Sequence, residues 1–189
     1  LLLAMATFGV GFFVRPVGGI LIGIYADRKG RKAALQLIIF LMTISIAMIA
    51  FAPTYAAIGA AAPALIVLAR LLQGMATGGE FASATSFLVE SAPPDRRGFY
   101  GSLQMVGQSV AALAGATAGM LITQGLTPEQ IDSWGWRVPF IASVIMVAVG
   151  LYVRFKLEET PVFKQAVAKD EKVKTPLVEA FKVAWWPMV

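Results

Sequence analysis

Arg15, Arg70, Gln73, Thr77 and Glu80 are polar side chains set inside long apolar runs, and the chemistry open to such residues is ion binding and proton transfer. Arg70, Gln73, Thr77 and Glu80 follow one another at spacings of three, four and three residues, which puts all four on one face of a helix. A carboxylate at Glu80 suits a proton carrier or a partner for Arg15 or Arg70, with a purely structural ion pair as the competing reading. Arg15 lies about 12 residues from either end of its run, ~18 Å of helix and beyond the reach of its own side chain, so it must face protein or water. Set against lipid it would cost at least ~2.5 kcal/mol, and Pro16 after it frees a backbone carbonyl that needs another partner. Arg70 sits closer to the start of its run and reads either as an anchor at the helix end or as a second cation in a cavity. Gln104 and Gln108, on a later run, reach a central cavity or hydrogen-bond between helices. Arg15, Arg70, Gln73, Gln104 and Gln108 are thus the substrate-binding candidates, and Glu80 is the proton-coupling candidate.

Two charge-dense strings complete the set: Gly23-Ile-Tyr-Ala-Asp27-Arg28-Lys-Gly30-Arg31-Lys32 and Glu90-Ser-Ala-Pro-Pro-Asp95-Arg96-Arg97-Gly98. Each lies between apolar stretches long enough to cross a bilayer, and clustered ionised groups between such stretches belong at a membrane surface. The 189 residues contain no histidine and no cysteine, which removes the commonest metal ligand, general base and thiolate nucleophile. No metal, no cofactor and no enzymatic activity is expected, since a membrane-embedded enzyme would need such groups or a compact carboxylate cluster. The net charge of +5 does not point to nucleic acid, because the basic residues cluster beside apolar segments with no stacking aromatics among them.

The elements that must position these residues are membrane helices. The sequence is 58% hydrophobic and only 14% charged, with a mean hydropathy of +0.73, too apolar to clothe a soluble domain. The fold class is therefore all-α, a polytopic transmembrane helix bundle. A span needs about 20 apolar residues to cross roughly 30 Å of hydrocarbon. Five stretches meet this, approximately 2–25, 33–52, 64–88, 100–124 and 137–157, within a membrane domain of residues 1–158. The opening Leu1-Leu2-Leu3, without an initiator Met or a charged leader, is not a signal peptide and reads as the inside of a longer protein.

Connections after the first, third and fifth spans hold most of the basic residues, whereas Pro53 to Pro63 is uncharged and Gly125 to Trp136 carries only Glu129 and Asp132. The positive-inside rule makes the first set cytoplasmic. Trp134 and Trp136 at the outer edge of the fifth span suit the aromatic belt. Residues 159–175 read as a cytoplasmic linker, and 176–189 as an interfacial helix or the start of a further crossing, helix 7. Gly19-x-x-x-Gly23, Gly74-x-x-x-Gly78 and the ridge Gly107, Ala111, Gly115, Gly119 predict close helix approach.

The string from Gly23 to Lys32 resembles the loop between helices two and three of the major facilitator superfamily, through Gly23, Asp27, Arg28, Gly30, Arg31 and Lys32. More narrowly, Phe12-Phe-Val-Arg15-Pro16-Val-Gly18-Gly19, Arg70-Leu-Leu-Gln73-Gly74-Met-Ala-Thr-Gly78-Gly79-Glu80, Trp134-Gly-Trp136-Arg137-Val-Pro139-Phe and Leu157-Glu-Glu159-Thr-Pro161-Val-Phe163 resemble its metabolite:proton symporter branch. Tyr25 departs from the leucine or glycine of many members.

The resemblance implies an incomplete N-terminal half of a twelve-helix carrier, with the five spans as helices two to six. Helix one and the C-terminal six-helix half would be further parts of the same protein. It implies a cytoplasmic gating network of Gly23, Asp27, Arg28, Gly30, Arg31, Glu90, Arg96 and Arg97, a latch that holds one orientation of two bundles. It also implies a secondary active transporter in the cell membrane, the inner membrane in a Gram-negative source, that moves a small organic acid or a betaine- or proline-like zwitterion by alternating access. The proton gradient would drive it, with no other cofactor, and its partners would be the lipid bilayer and the small-molecule substrate. A uniporter of the same fold, a channel and a membrane-embedded enzyme are the competing classes.

Overall fold

The computed structural model describes residues 2–168, with side chains from residue 9 onward. All the regular secondary structure among the described residues is helical: α1 (Leu2–Lys29), α2 (Arg31–Ala50), α3 (Tyr55–Ile58), α4 (Ala61–Ser91), α5 (Arg97–Gly125), α6 (Pro128–Ser133), α7 (Val138–Lys156) and α8 (Pro161–Ala168). Among the described residues five segments are long and apolar enough to cross a membrane: Gly9–Lys29, Arg31–Ala50, Ala61–Ser91, Pro94–Gly125 and Gly135–Lys156. Helices are what such sequences must form in hydrocarbon, where each backbone N–H and C=O needs a partner within the segment.

The boundaries differ from the sequence reading in instructive ways. The expected loop after the first span hardly exists, because α1 continues to Lys29 and only Gly30 separates it from α2. Gly30 has φ 103°, a conformation closed to most side chains, so the chain reverses within one residue. Asp27, Arg28 and Lys29 therefore ride on the last turn of α1, where the cations favourably face the helix C-terminus. The uncharged connection 53–63 contains α3 and the start of α4, which accepts Pro63 in its first turn, where no N–H partner is lost. Before α7, α6 opens with a capping box: Thr127 Oγ1 accepts from the Gln130 N–H, and Gln130 Oε1 accepts from the Thr127 N–H. The linker 159–175 opens with α8 instead of continuing as irregular chain; its remainder, and the segment 176–189 read as an interfacial helix or helix 7, lie outside the described residues.

The core lies where α1, α2 and α4 meet. Ile22, Ala26, Ala34, Leu35, Ile38 and Ala76 form its buried centre, flanked by Leu41, Met42, Ala84 and Phe87. The crossing of α1 over α4 is held close by glycines on both helices: a Cβ on Gly18 would overlap the Met75 backbone, on Gly74 the Gly11 backbone, and on Gly78 the Arg15 backbone. The ridge on α5 behaves differently. A Cβ on Gly107, Gly115 or Gly119 meets nothing within 4 Å, so at these three glycines the expected packing seam has no close described neighbour. Near its start α5 meets α4, with Gly101 against Val89. Small-residue spacing makes a groove; whether a helix fills it depends on neighbours that local spacing does not encode. Neither α5 nor α7 has a fully buried side chain, and α5 presents Leu103, Val106, Val110, Leu113 and Leu121 outward.

Candidate functional site

The α1–α4 crossing brings Arg15 and Arg70 into one cleft, lined also by Gly11, Phe12, Met42, Gln73, Gly74 and Thr77. Its volume is about 100 Å³, open on one side, enough for a carboxylate-sized group with water but not for a whole metabolite. The glycines explain how this cleft arises. Because Gly74 and Gly78 admit the α1 backbone at Gly11 and Arg15, the two arginine-bearing turns lie side by side. The Arg15 guanidinium lies 4.0 Å from the centre of the Phe12 ring, a cation–π contact that steadies the charge without using up all its N–H donors. Arg70 Nη1 donates to Gln73 Oε1 at 2.7 Å, and Thr77 Oγ1 donates to the Gln73 carbonyl at 2.8 Å. Two cations, an amide and a hydroxyl facing one apolar-walled cleft can hold a ligand carboxylate. Gln104 and Gln108 stand apart on α5, outside this cleft, and their side chains make no hydrogen bond among the described residues.

Glu80 also departs from expectation. Neither Arg15 nor Arg70 is its ion-pair partner. Its carboxylate lies 3.7 Å from Arg154 Nη2, which reaches in from α7. The reason is helical phase: Arg70, Gln73 and Thr77 line the cleft towards α1, whereas Glu80, three residues on, is turned where the Arg154 side chain reaches it from α7, a helix that packs on α2. In the sequence Arg154 is a cation near the end of the fifth span, and nothing in local spacing reveals that it points inward.

The charged end of the bundle is organised around Arg31. Its guanidinium donates to Asp27 at 2.5 Å and to Glu90 at 3.1 Å, joining α1, α2 and α4. Glu90 Oε2 then accepts from Thr160 Oγ1 at 2.7 Å, which brings in α8. Thr160 is 1% exposed and its Oγ1 accepts the Phe163 N–H, capping α8. Glu159 supplies what Gly30 cannot: it accepts the Arg31 N–H at 3.0 Å and the Lys32 N–H at 3.2 Å, capping α2 from far along the chain. A Cβ at Gly30 would collide with that carboxylate, a second demand for glycine beyond its φ. Glu159 and Thr160 are site residues that the sequence reading quoted but assigned no role.

Other members of the expected network fare differently. Arg96 stays outside it: the short 3-10 turn at Pro94–Arg96 directs it to Asp95 at 3.6 Å, both side chains well exposed. Arg97 and Arg28 are exposed, and Gly23 lines a second cleft with Asp27, Arg31, Ser83 and Ser86 and has no neighbour within 4 Å of a Cβ. Beside the network, the hydrogen bond from Lys164 and then its charge hold the Glu158 carboxyl below the usual carboxylate range, with Lys32 adding to the effect and slight desolvation opposing it. Thr160→Val is expected to cost about 1–3 kcal/mol, because it removes a helix cap and a charge-assisted hydrogen bond together. A lowered midpoint of thermal unfolding in detergent would register it.

Comparison with known proteins follows the same lines. Residues 2–182 match the family model described as sugar (and other) transporter. The sequence is 43% identical over 174 residues to the inner membrane metabolite transport protein YhjE of Escherichia coli (strain K12), covering 92% of this chain and 40% of the relative. It is 42% identical over 181 residues to the shikimate transporter of the same organism, covering 95% of this chain and 41% of the relative. Among solved structures, a partially occluded inward-open conformation of the E. coli xylose transporter XylE superposes with a TM-score of 0.77 at 21% identity, over 86% of this chain and 39% of that one. That likeness establishes a shared fold. The chain spans about two-fifths of the length of these relatives.

Proposed function

The chain belongs to the sugar (and other) transporter family of the major facilitator superfamily, and from that premise we propose that it is the helix-two-to-six part of a secondary active carrier for a small organic acid or zwitterionic metabolite. The observation that carries this reading is the cleft between α1 and α4 that holds both Arg15 and Arg70. Two guanidinium groups kept among apolar helices are costly unless they meet an anion or water, and a substrate carboxylate answers both the charge and the hydrogen-bond geometry. Gln73 belongs to the same corner, and Gln104 and Gln108 on α5 would face substrate from a second wall. That wall requires parts of the carrier beyond this chain: a first helix and a second six-helix half.

The charged end supports alternating access as the mode of transport. With Asp27, Arg31, Glu90, Glu159 and Thr160 bonded, α1, α2, α4 and α8 form one rigid body at that end. Rocking of two halves about a central site would make and break contacts on its surface, where Arg28, Arg96 and Arg97 are exposed. Proton-driven symport is the coupling mode we favour, with Glu80 as the carboxylate that takes up the proton, in the cell membrane and with the basic end on the cytoplasmic side. The shikimate transporter's name supports an organic acid as the substrate class.

The test is uptake by cells expressing the whole protein, with a panel of labelled organic acids and betaines. Arg15→Ala is expected to raise the KM for the accepted solute about 10- to 100-fold, the loss of a hydrogen-bonded charge of about 1.5–3 kcal/mol. Unchanged uptake and affinity would remove Arg15 from binding. Counterflow separates the competing classes, because a carrier shows trans-stimulation and a channel does not. Accumulation that survives Glu80→Gln would return Glu80 to a structural role.

A further inference from the structure

Arg154 is two residues from the end of α7, where an arginine ordinarily extends toward headgroups and water. It does the opposite. Nη1 donates to the Leu35 carbonyl of α2 at 2.5 Å, and Nη2 lies 3.7 Å from Glu80 Oε1 of α4. The side chain is 21% exposed, and Lys156, the next cation along, turns back over the Tyr152 ring at 4.6 Å. Glu80 itself lies ten residues from Glu90, ~15 Å of helix from the charged end and so near the depth of the bilayer centre. A carboxylate at that depth needs a cation delivered to it, and α7 delivers one by sending Arg154 inward.

We propose that Arg154 is the positioning residue for Glu80, anchored on the Leu35 carbonyl so that the Glu80 carboxylate is held facing α7 at a fixed depth in the bundle. This rests on the carrier reading above and adds to it a residue for the coupling step. The pair also ties α7 to α2 and α4 one turn in from the charged end of α2, and α7 otherwise lacks a fully buried side chain. When a hydronium ion gives its proton to the Glu80 carboxylate, one O–H bond breaks in the donor, which leaves as water, and one forms on the now neutral carboxyl; Arg154 keeps the Leu35 carbonyl and loses its ion pair to α4. Of the other charged groups on elements packed against α4, Arg15 lies mid-helix with its backbone beside Gly78 and faces the cleft that holds Arg70, while Asp27, Arg28, Lys29, Arg31, Lys32, Arg97 and Lys164 lie toward the charged end.

The experiment uses the whole protein, as Glu80→Gln, Arg154→Gln, Arg154→Lys and Glu80→Gln/Arg154→Gln, each measured for thermal unfolding in detergent. Counterflow exchange and pH-gradient-driven accumulation are measured in vesicles, with labelled shikimate, proline or betaine as the probe. Each single neutralisation is expected to lower the unfolding midpoint, and the double variant to recover most of the loss, since it leaves no unpaired charge. Arg154→Gln is expected to keep exchange and lose accumulation, matching Glu80→Gln, while Arg154→Lys keeps both. A double variant no more stable than Arg154→Gln, accumulation retained in Arg154→Gln, or equal loss of exchange and accumulation would overturn the proposal. If the wild-type protein exchanges none of the probes while the stability cycle still shows coupling, the carrier reading is the one that fails.

Discussion

Arg31→Ala is expected to destabilise the protein by about 2–4 kcal/mol, because it leaves Asp27 and Glu90 facing each other across the end of the bundle without the cation that joins them. A fully buried pair broken on one side costs about 3–5 kcal/mol. Here the Arg31 and Glu90 side chains keep 21% and 18% of their exposure, so water recovers part of that penalty. Asp27 is more exposed at 38%, and Asp27→Ala should cost about 1 kcal/mol or less, as for an ordinary surface pair. Glu90→Ala belongs with Arg31→Ala, since it strands both the guanidinium and the Thr160 hydroxyl. In a double-mutant cycle the Arg31→Ala and Glu90→Ala losses should fall well short of additive; simple additivity would mean that the two residues do not act as a unit. The same variants should loosen the charged end. Since the 189 residues contain no cysteine, a reporter cysteine at Ser83 or Ser86, on the cleft beside Asp27 and Arg31, has a silent background in this segment. Its labelling by a water-soluble maleimide is expected to rise in Arg31→Ala.

This network shows how far the sequence could be read. Gly23 to Lys32 is recognisable because its residue types and spacing are local, and Asp27 and Arg31 are indeed bonded one turn apart across Gly30. The five apolar helices were legible for the same reason, since hydropathy over about 20 residues is a local property. What escaped was set by long-range approach. Glu159 caps Arg31 from 128 residues away, and a Leu-Glu-Glu-Thr-Pro string gives no hint of which helix N-terminus it will meet. Arg154 sits where basic residues usually mark a membrane edge, and only the position of Leu35 and Glu80 turns it inward. Arg96 differs the other way: the resemblance implied a place in the network beside Glu90, whereas the turn at Pro94–Arg96 faces it toward Asp95. The candidate cleft was half visible. Each arginine stood out as an expensive charge within its own span, yet nothing short of the helix crossing could pair the first span with the third.

That crossing is open to direct trial, and Gly78→Val is the substitution expected to break it. The group a Cβ would meet at Gly78 is the Arg15 backbone, not the end of a side chain that could swing aside, so relief requires the two helices to part. Overpacking in a tight core costs about 1–3 kcal/mol even where side chains can adjust, and a branched side chain against a rigid backbone should reach about 3 kcal/mol or more. Parting the helices would also draw Arg15 away from Arg70, so any Gly78→Val protein that still folds should lose solute affinity along with stability. Gly107 supplies the control on an equally glycine-rich stretch: a Cβ there meets nothing, and Gly107→Ala should gain up to about 1 kcal/mol from helix propensity alone. Gly78→Ala separates the two effects, since the same propensity gain must now be set against the Arg15 backbone, and a net loss is expected. Unfolding midpoints in detergent, with size-exclusion profiles to report misfolded protein, give the answer. A Gly78→Val protein as stable as wild type would mean that α1 and α4 do not cross at these glycines, and with that the two arginines would no longer share a cleft.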